Sequence, residues 1–160
     1  RKWVVDDVFL RRKKDGVVST KPITELMDLV TTVREFLGAW DHGIRDDMLE
    51  LSTPDLGELL ASLPPAYLTR LAQQAIGDRA KDSRLRPEAH LDDDVAVVRL
   101  PRTSGQMILS FEKIDGRWLV SDMAVESRKD KDHITSVRQP ATLLNSAAAF
   151  LGDYRTGDKA

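Results

Sequence analysis

Along residues 107–126 apolar and polar side chains alternate, and the alternation is interrupted once, at Asp115-Gly116. A period of two is what a half-buried strand shows. Asp-Gly supplies two residues that tolerate positive φ, so the stretch predicts a β-hairpin closed by a two-residue loop. The register follows from that loop: Lys113 faces Trp118, Phe111 faces Val120, Leu109 faces Asp122 and Met107 faces Ala124. One face then carries Met107, Leu109, Phe111, Trp118, Val120 and Ala124, with the carboxylate of Asp122 among them. The other face, with Ile108, Ser110, Glu112, Leu119, Ser121 and Met123, is mixed.

The rest of the chain sorts by the same criterion. Residues 3–10 predict a strand, and Lys13 to Gly16 a turn. Thr20 is a candidate helix cap with Pro22 in the first turn. Ile23, Leu26, Met27, Val30, Val33, Phe36, Leu37 and Trp40 follow at three-to-four spacing, one face of a long amphipathic helix that Gly43 ends. A short helix is expected over 44–51. Another opens at Thr53-Pro54-Asp55 and runs to about Leu60. Leu63-Pro64-Pro65 breaks the chain before a helix over 66–76, with Leu68, Leu71, Ala75 and Ile76 inward and Gly77 at its end.

From Glu88 the period changes from 3.6 to 2. Strands are predicted at 88–91, 95–100, 106–114 and 117–126, separated by Asp92-Asp93-Asp94, Pro101 to Gly105 and Asp115-Gly116. Residues 127–133 predict a charged loop. A last helix, over 139–154, has Leu143, Leu144, Ala147, Phe150 and Leu151 on its apolar side. Helices followed by an antiparallel sheet predict an α+β domain with its N-terminal helices on one sheet face.

The two ends of the chain resemble each other. WVVDDVFLRRKKDG at 3–16 aligns with WLVSDMAVESRKD at 118–130, so that Trp3 falls on Trp118 and Asp7 on Asp122. Further on, Phe36-Leu37-Gly38 falls on Phe150-Leu151-Gly152, Trp40 on Tyr154 and Gly43 on Gly157, with one residue of insertion or deletion between the blocks. The expectation is a tandem array with a period of about 115 residues. In it, residues 1–16 are the last strand of one copy, 19–127 a complete unit, and 133–160 the opening helix of the next. The flanking pieces are expected to dock on this unit, on neighbouring copies, or on a second molecule as a homodimer.

Composition excludes some functions. The chain of 160 residues has 24 basic and 26 acidic side chains, which gives no electrostatic case for binding nucleic acid. The run Arg11-Arg12-Lys13-Lys14 reads as a solvated strand end. The absence of cysteine removes disulfides, thiol nucleophiles and Cys-type zinc sites. No apolar run reaches the ~18 residues of a membrane span. Residue 1 is Arg and nothing signal-like follows, so the chain reads as a piece of a longer protein and leaves its compartment open.

VREFLGAWDHGIRDDMLELSTPDL, residues 33–56, and DGRWLVSDMAVES, residues 115–127, resemble the opening helices and the closing strand of the cone-shaped nuclear transport factor 2-like superfamily. The likeness spans about residues 22–126. It implies a curved antiparallel sheet and helices enclosing a pocket, here lined by Phe36, Trp40, Tyr67, Leu109, Phe111, Trp118, Val120 and Asp122. The superfamily holds ketosteroid isomerases, polyketide cyclases and dehydratases beside scaffolding and ligand-binding modules without catalysis, so it bears on fold more than on activity.

The expected function is therefore a non-catalytic module for protein interaction or for binding a small apolar ligand. The alternative is an isomerase, cyclase or dehydratase in which Asp122 is the general base and Tyr67 or His90 donates to an enolate oxygen. The recurrence of Asp at position 7 favours a structural role for Asp122. His42, His90 and His133 have no metal-ligand spacing, Asp92-Asp93-Asp94 lacks the calcium-loop pattern, and no cofactor motif is present; no metal or cofactor is expected.

Overall fold

The computed structural model describes residues 6–14, 16–76, 86–129 and 134–156. In chain order the elements are β1 (Phe9–Lys14), β2 (Val17–Pro22), α1 (Ile23–His42), α2 (Arg45–Glu50), α3 (Pro54–Ala61), α4 (Pro65–Ile76), β3 (Glu88–Asp92), β4 (Val95–Pro101), β5 (Gly105–Ile114), β6 (Arg117–Ser127), β7 (Ile134–Ser136) and α5 (Arg138–Thr156). It is an α+β fold. β1 and β2 form a two-stranded sheet, and β3-β4-β5-β6-β7 form an antiparallel sheet in sequence order.

The central hairpin forms as its pattern dictates. Asp115 and Gly116 have φ of 50° and 78°, the paired positive values of a two-residue turn. Lys113 pairs with Trp118 and Phe111 with Val120. Beyond that pair the register departs from the expected one. Ser110 pairs with Asp122, Leu109 with Met123 and Met107 with Val125, because Ser121 is an extra residue on β6. The expected pairings of Leu109 with Asp122 and of Met107 with Ala124 are thus corrected. A bulge reverses the alternation: Met123 takes the buried position and Asp122 leaves the apolar wall. The physical reason is that an unpaired carboxylate among Leu109, Phe111 and Trp118 would lose its hydration with nothing to replace it. At the far end of β5, Gly105 lies so close to the Glu126 carbonyl that a Cβ would overlap it.

The inner face of this sheet, from Ala96, Val98, Met107, Leu109, Phe111, Trp118, Val120 and Met123, joins the helices in a single buried cluster. α1 packs against β6, α2 and α4. Leu29, Phe36, Ala39 and Trp40 are its buried residues, with the Phe36 and Trp40 rings 5.5 Å apart. The expected stripe was too broad. Leu29, which it omitted, is fully buried, while Met27 and Val30, which it included, are exposed. Gly43 ends α1 in the left-handed conformation. Between α2 and α3, Thr53 N donates to Val120 O and Val120 N to Leu51 O, covering the edge of β6 that β7 does not reach. Leu56 and Leu60 of α3, and Leu68 and Leu71 of α4, complete the core. The side chains of Ala75 and Ile76, and Gly77, lie outside what is described.

Two strands were not expected. β2 occupies the place given to a helix cap: Thr20 pairs with Arg11, and the helix starts at Ile23 after Pro22. β7 is three residues long and pairs with the end of β6. The strand expected over 3–10 begins at Phe9, with Asp6 to Val8 in irregular backbone and residues 1–5 outside the described part. Among the described residues, no helix is long and apolar enough to cross a membrane.

Candidate functional site

Asp122 sits where the bulge of β6, the short β7 and the start of α5 meet. Its Oδ1 accepts from Met123 N at 2.9 Å and from Ser136 Oγ at 2.7 Å, with Arg138 Nε at 4.0 Å. Arg138 also donates from its other guanidinium nitrogen to Ser121 O at 2.6 Å, holding the carbonyl that the bulge exposes. Ser136 Oγ in turn accepts from Arg138 N at 3.1 Å. The group is half-buried and each member engages another, which describes a structural node that locks strand to helix. A base needs a lone pair directed at substrate; here Oδ1 is taken by donors from its own fold.

His90, also named for acid–base work, lies apart from it. His90 pairs with Val97, Val97 with Ser110, and Ser110 with Asp122, so one cross-strand row on the outer sheet face contains both. Three strand spacings separate them, about 14 Å. His90 is exposed on the edge strand β3. Tyr67 is exposed near the start of α4. Of the residues named as pocket lining, Phe36, Trp40, Leu109, Phe111, Trp118 and Val120 are packed into the core. Among the described residues the Trp40 and Trp118 indole N–H groups are buried without an acceptor.

Several clefts open among the described residues. One of 590 Å³ is lined by Glu88, Ala89, His90, Val97 and Arg99, so it holds His90 but neither Asp122 nor Tyr67. Another, of 340 Å³, lies between Arg86, Glu88, Arg99, Gln106, Glu126 and Arg128. A smaller one of 140 Å³ lies beside the Asp122 node, between Leu71, Met123, Val125, Thr135, Val137 and Pro140. Among the described residues no group of three or more His, Asp or Glu is placed to hold a metal ion.

Two further nodes hold the start of α1, and in each the partner on that helix escaped the sequence reading. Lys113 Nζ lies 2.8 Å from Glu25 Oε1 and 5.4 Å from the centre of the Trp118 ring, tying the first turn of α1 to the central hairpin. Lys113 opposite Trp118 was legible in the register; Glu25, far away along the chain, was not. The second is Asp7. Its Oδ2 accepts from Thr24 Oγ1 at 2.6 Å and its Oδ1 from Val8 N at 2.7 Å. The Thr24 hydroxyl has the largest effect and holds this carboxyl below the usual carboxylate range; desolvation opposes it, and the amides of Val8, Thr24 and Ile23 add to the lowering. Compared with family models, characterised proteins and solved structures, the chain matches none.

Proposed function

We propose that this chain is a non-catalytic interaction module, one unit of a repeat-bearing protein built on the nuclear transport factor 2-like plan. The observation that carries the reading is where its apolar surface lies. Val8, Phe9, Leu10 and Val18 on the N-terminal hairpin, and Leu143, Phe150, Leu151 and Tyr154 on α5, are large apolar side chains turned to solvent at the two ends of the chain, beside a well-filled core. Apolar side chains gathered on one element mark contact surfaces. The order of helices then antiparallel strands, with α1 laid across β6, supports the superfamily plan. The separation of His90 from Asp122 across the sheet argues against those two acting together in acid–base catalysis.

The test is a comparison of Asp122→Asn with the parent chain in thermal melting and in turnover of enolisable ketones, the substrate class an isomerase of this plan would take. The reading expects a lowered melting temperature and no turnover in either protein. Turnover by the parent that disappears in a normally folded Asp122→Asn protein would overturn it.

A further inference from the structure

The start and the end of the chain repeat one another in geometry as well as in sequence. Ile23 N donates to Val8 O at 2.7 Å, and Val137 N donates to Met123 O at 2.7 Å. Val8 and Met123 are the residues after Asp7 and Asp122, and each donates its own N–H to that carboxylate. A hydroxyl next to the donating amide completes each node: Thr24 follows Ile23, and Ser136 precedes Val137. The strand pairs correspond. Phe9–Pro22, Leu10–Lys21 and Arg11–Thr20 match Ala124–Ser136, Val125–Thr135 and Glu126–Ile134. The difference of one residue therefore falls between Arg11 and Thr20 in the first segment and between Glu126 and Ile134 in the second, and past it the two helices run in step. Leu29 falls on Leu143, Val33 on Ala147, Phe36 on Phe150 and Trp40 on Tyr154.

Burial inverts between the copies. Leu29, Phe36 and Trp40 are 0%, 0% and 2% exposed; Leu143, Phe150 and Tyr154 are 71%, 68% and 79% exposed. On the opposite side of the helix the order reverses. Met27 and Val30 are exposed, while their counterparts Ala141 and Leu144 pack toward the core of this unit, beside Asn145, whose Nδ2 lies 2.5 Å from Ser62 Oγ after α3. Each helix shows one of two apolar faces, and the face bare on one is covered on the other.

We propose that α5 is a shared helix. Its Ala141–Leu144 face closes this unit. Its Leu143, Ala147, Phe150 and Tyr154 stripe roofs the inner sheet wall of an adjoining copy of the same unit, as Leu29, Val33, Phe36 and Trp40 roof the wall of this one. The occupant is a second copy because the stripe has the spacing and the aromatic positions of the helix face that this sheet already accepts. By the same correspondence, Met27 and Val30 on α1 meet α3 of a copy on the other side. The proposal rests on the reading of the chain as an interaction module, and its test is separate from the turnover assay.

The test extends the full chain. Residues 1–157 are followed directly by residues 44–160, so that Gly157 takes the place of Gly43 and α5 is offered to a second copy that lacks its own first helix. The fusion is treated with trypsin beside the single chain. The expected result is that the second copy resists digestion, and that Phe150→Asp with Tyr154→Asp in the fusion returns the product to the size of the single chain. In the single chain the same two substitutions leave the melting temperature within about 2 °C. A second copy digested without any substitution, or one that resists digestion in the doubly substituted fusion, overturns the proposal. So does binding of the single chain to phosphatidylcholine vesicles that the two substitutions abolish, because it would assign the stripe to lipid.

Discussion

The β1–β2–α1 segment and the β6–β7–α5 segment share one backbone hydrogen-bond pattern in two surroundings. Both place an Asp two residues before the pairing with the next strand begins, and start a helix on the carbonyl of the residue after that Asp. In the first, the helix lies under a sheet and the hairpin is bare; in the second, the hairpin is the edge of a sheet and the outer stripe of the helix is bare. Val8 and Phe9 are exposed where Met123 and Ala124 are buried. The local hydrogen bonds are set by short-range sequence and persist in both places. Burial is set by what lies opposite and does not.

That contrast predicts which substitutions are costly. Phe36→Ala removes a fully buried ring and should destabilise the chain by about 3–5 kcal/mol, whereas Phe150→Ala at the matching position should change stability by no more than about 0.5 kcal/mol. Urea unfolding of the two variants measures the difference, and equal costs would mean that α5 is buried in solution. Next in size is the Asp122 node. Asp122→Ala leaves the Ser136 hydroxyl and the Met123 amide without their acceptor and removes the charge facing Arg138, and should cost about 1–3 kcal/mol, read from the same unfolding curves. A cost near zero would show that the node does not hold β7 and α5 in place.

Glu25→Gln removes the ion pair with Lys113 while leaving the Trp118 ring under the ammonium. The expected loss is about 0.5–1 kcal/mol, smaller in high salt. Measuring it in low and in molar salt separates the charge from the packing. The smallest effect is that of Asp7. Its carboxyl is held below the usual range, so the folded state binds the proton less readily than the unfolded chain. The stability it contributes is therefore present above the ordinary carboxylate pKa of about 3.9 and is lost as pH falls through the lower folded value. Asp7→Asn should lower the urea midpoint slightly at pH 7, and the gap from the parent should close as pH drops below about 4. A gap that stays constant with pH would remove the carboxylate from the junction.

Much of the fold was legible from periodicity. The hairpin at Asp115-Gly116, the breaks at Gly43 and Leu63-Pro64-Pro65, the helices between them and the four strands from Glu88 all follow from neighbours within a few residues, because turn chemistry and a two- or 3.6-residue period are local properties. β2 was hidden because Val17-Val18-Ser19-Thr20-Lys21-Pro22 carries both strand-forming residues and a helix-start signature, and only pairing with β1 decides between them. β7 is too short to show a period.

The candidate site was legible only as a list of residues. Ser121 looks like any other position in an alternating strand, yet as the extra residue of a bulge it moves Asp122 from the apolar wall to a hydrogen-bonded junction. By itself the sequence determined the helices after Pro22, the central hairpin and its apolar wall as far as the bulge. Tertiary structure alone decided which apolar faces are covered, that of α1 and not the outer stripe of α5. The reason is that a hydrogen-bonded turn is closed by atoms a few residues apart, whereas burial needs a second surface, and a stripe of Leu and Phe carries no mark of whether that surface is there.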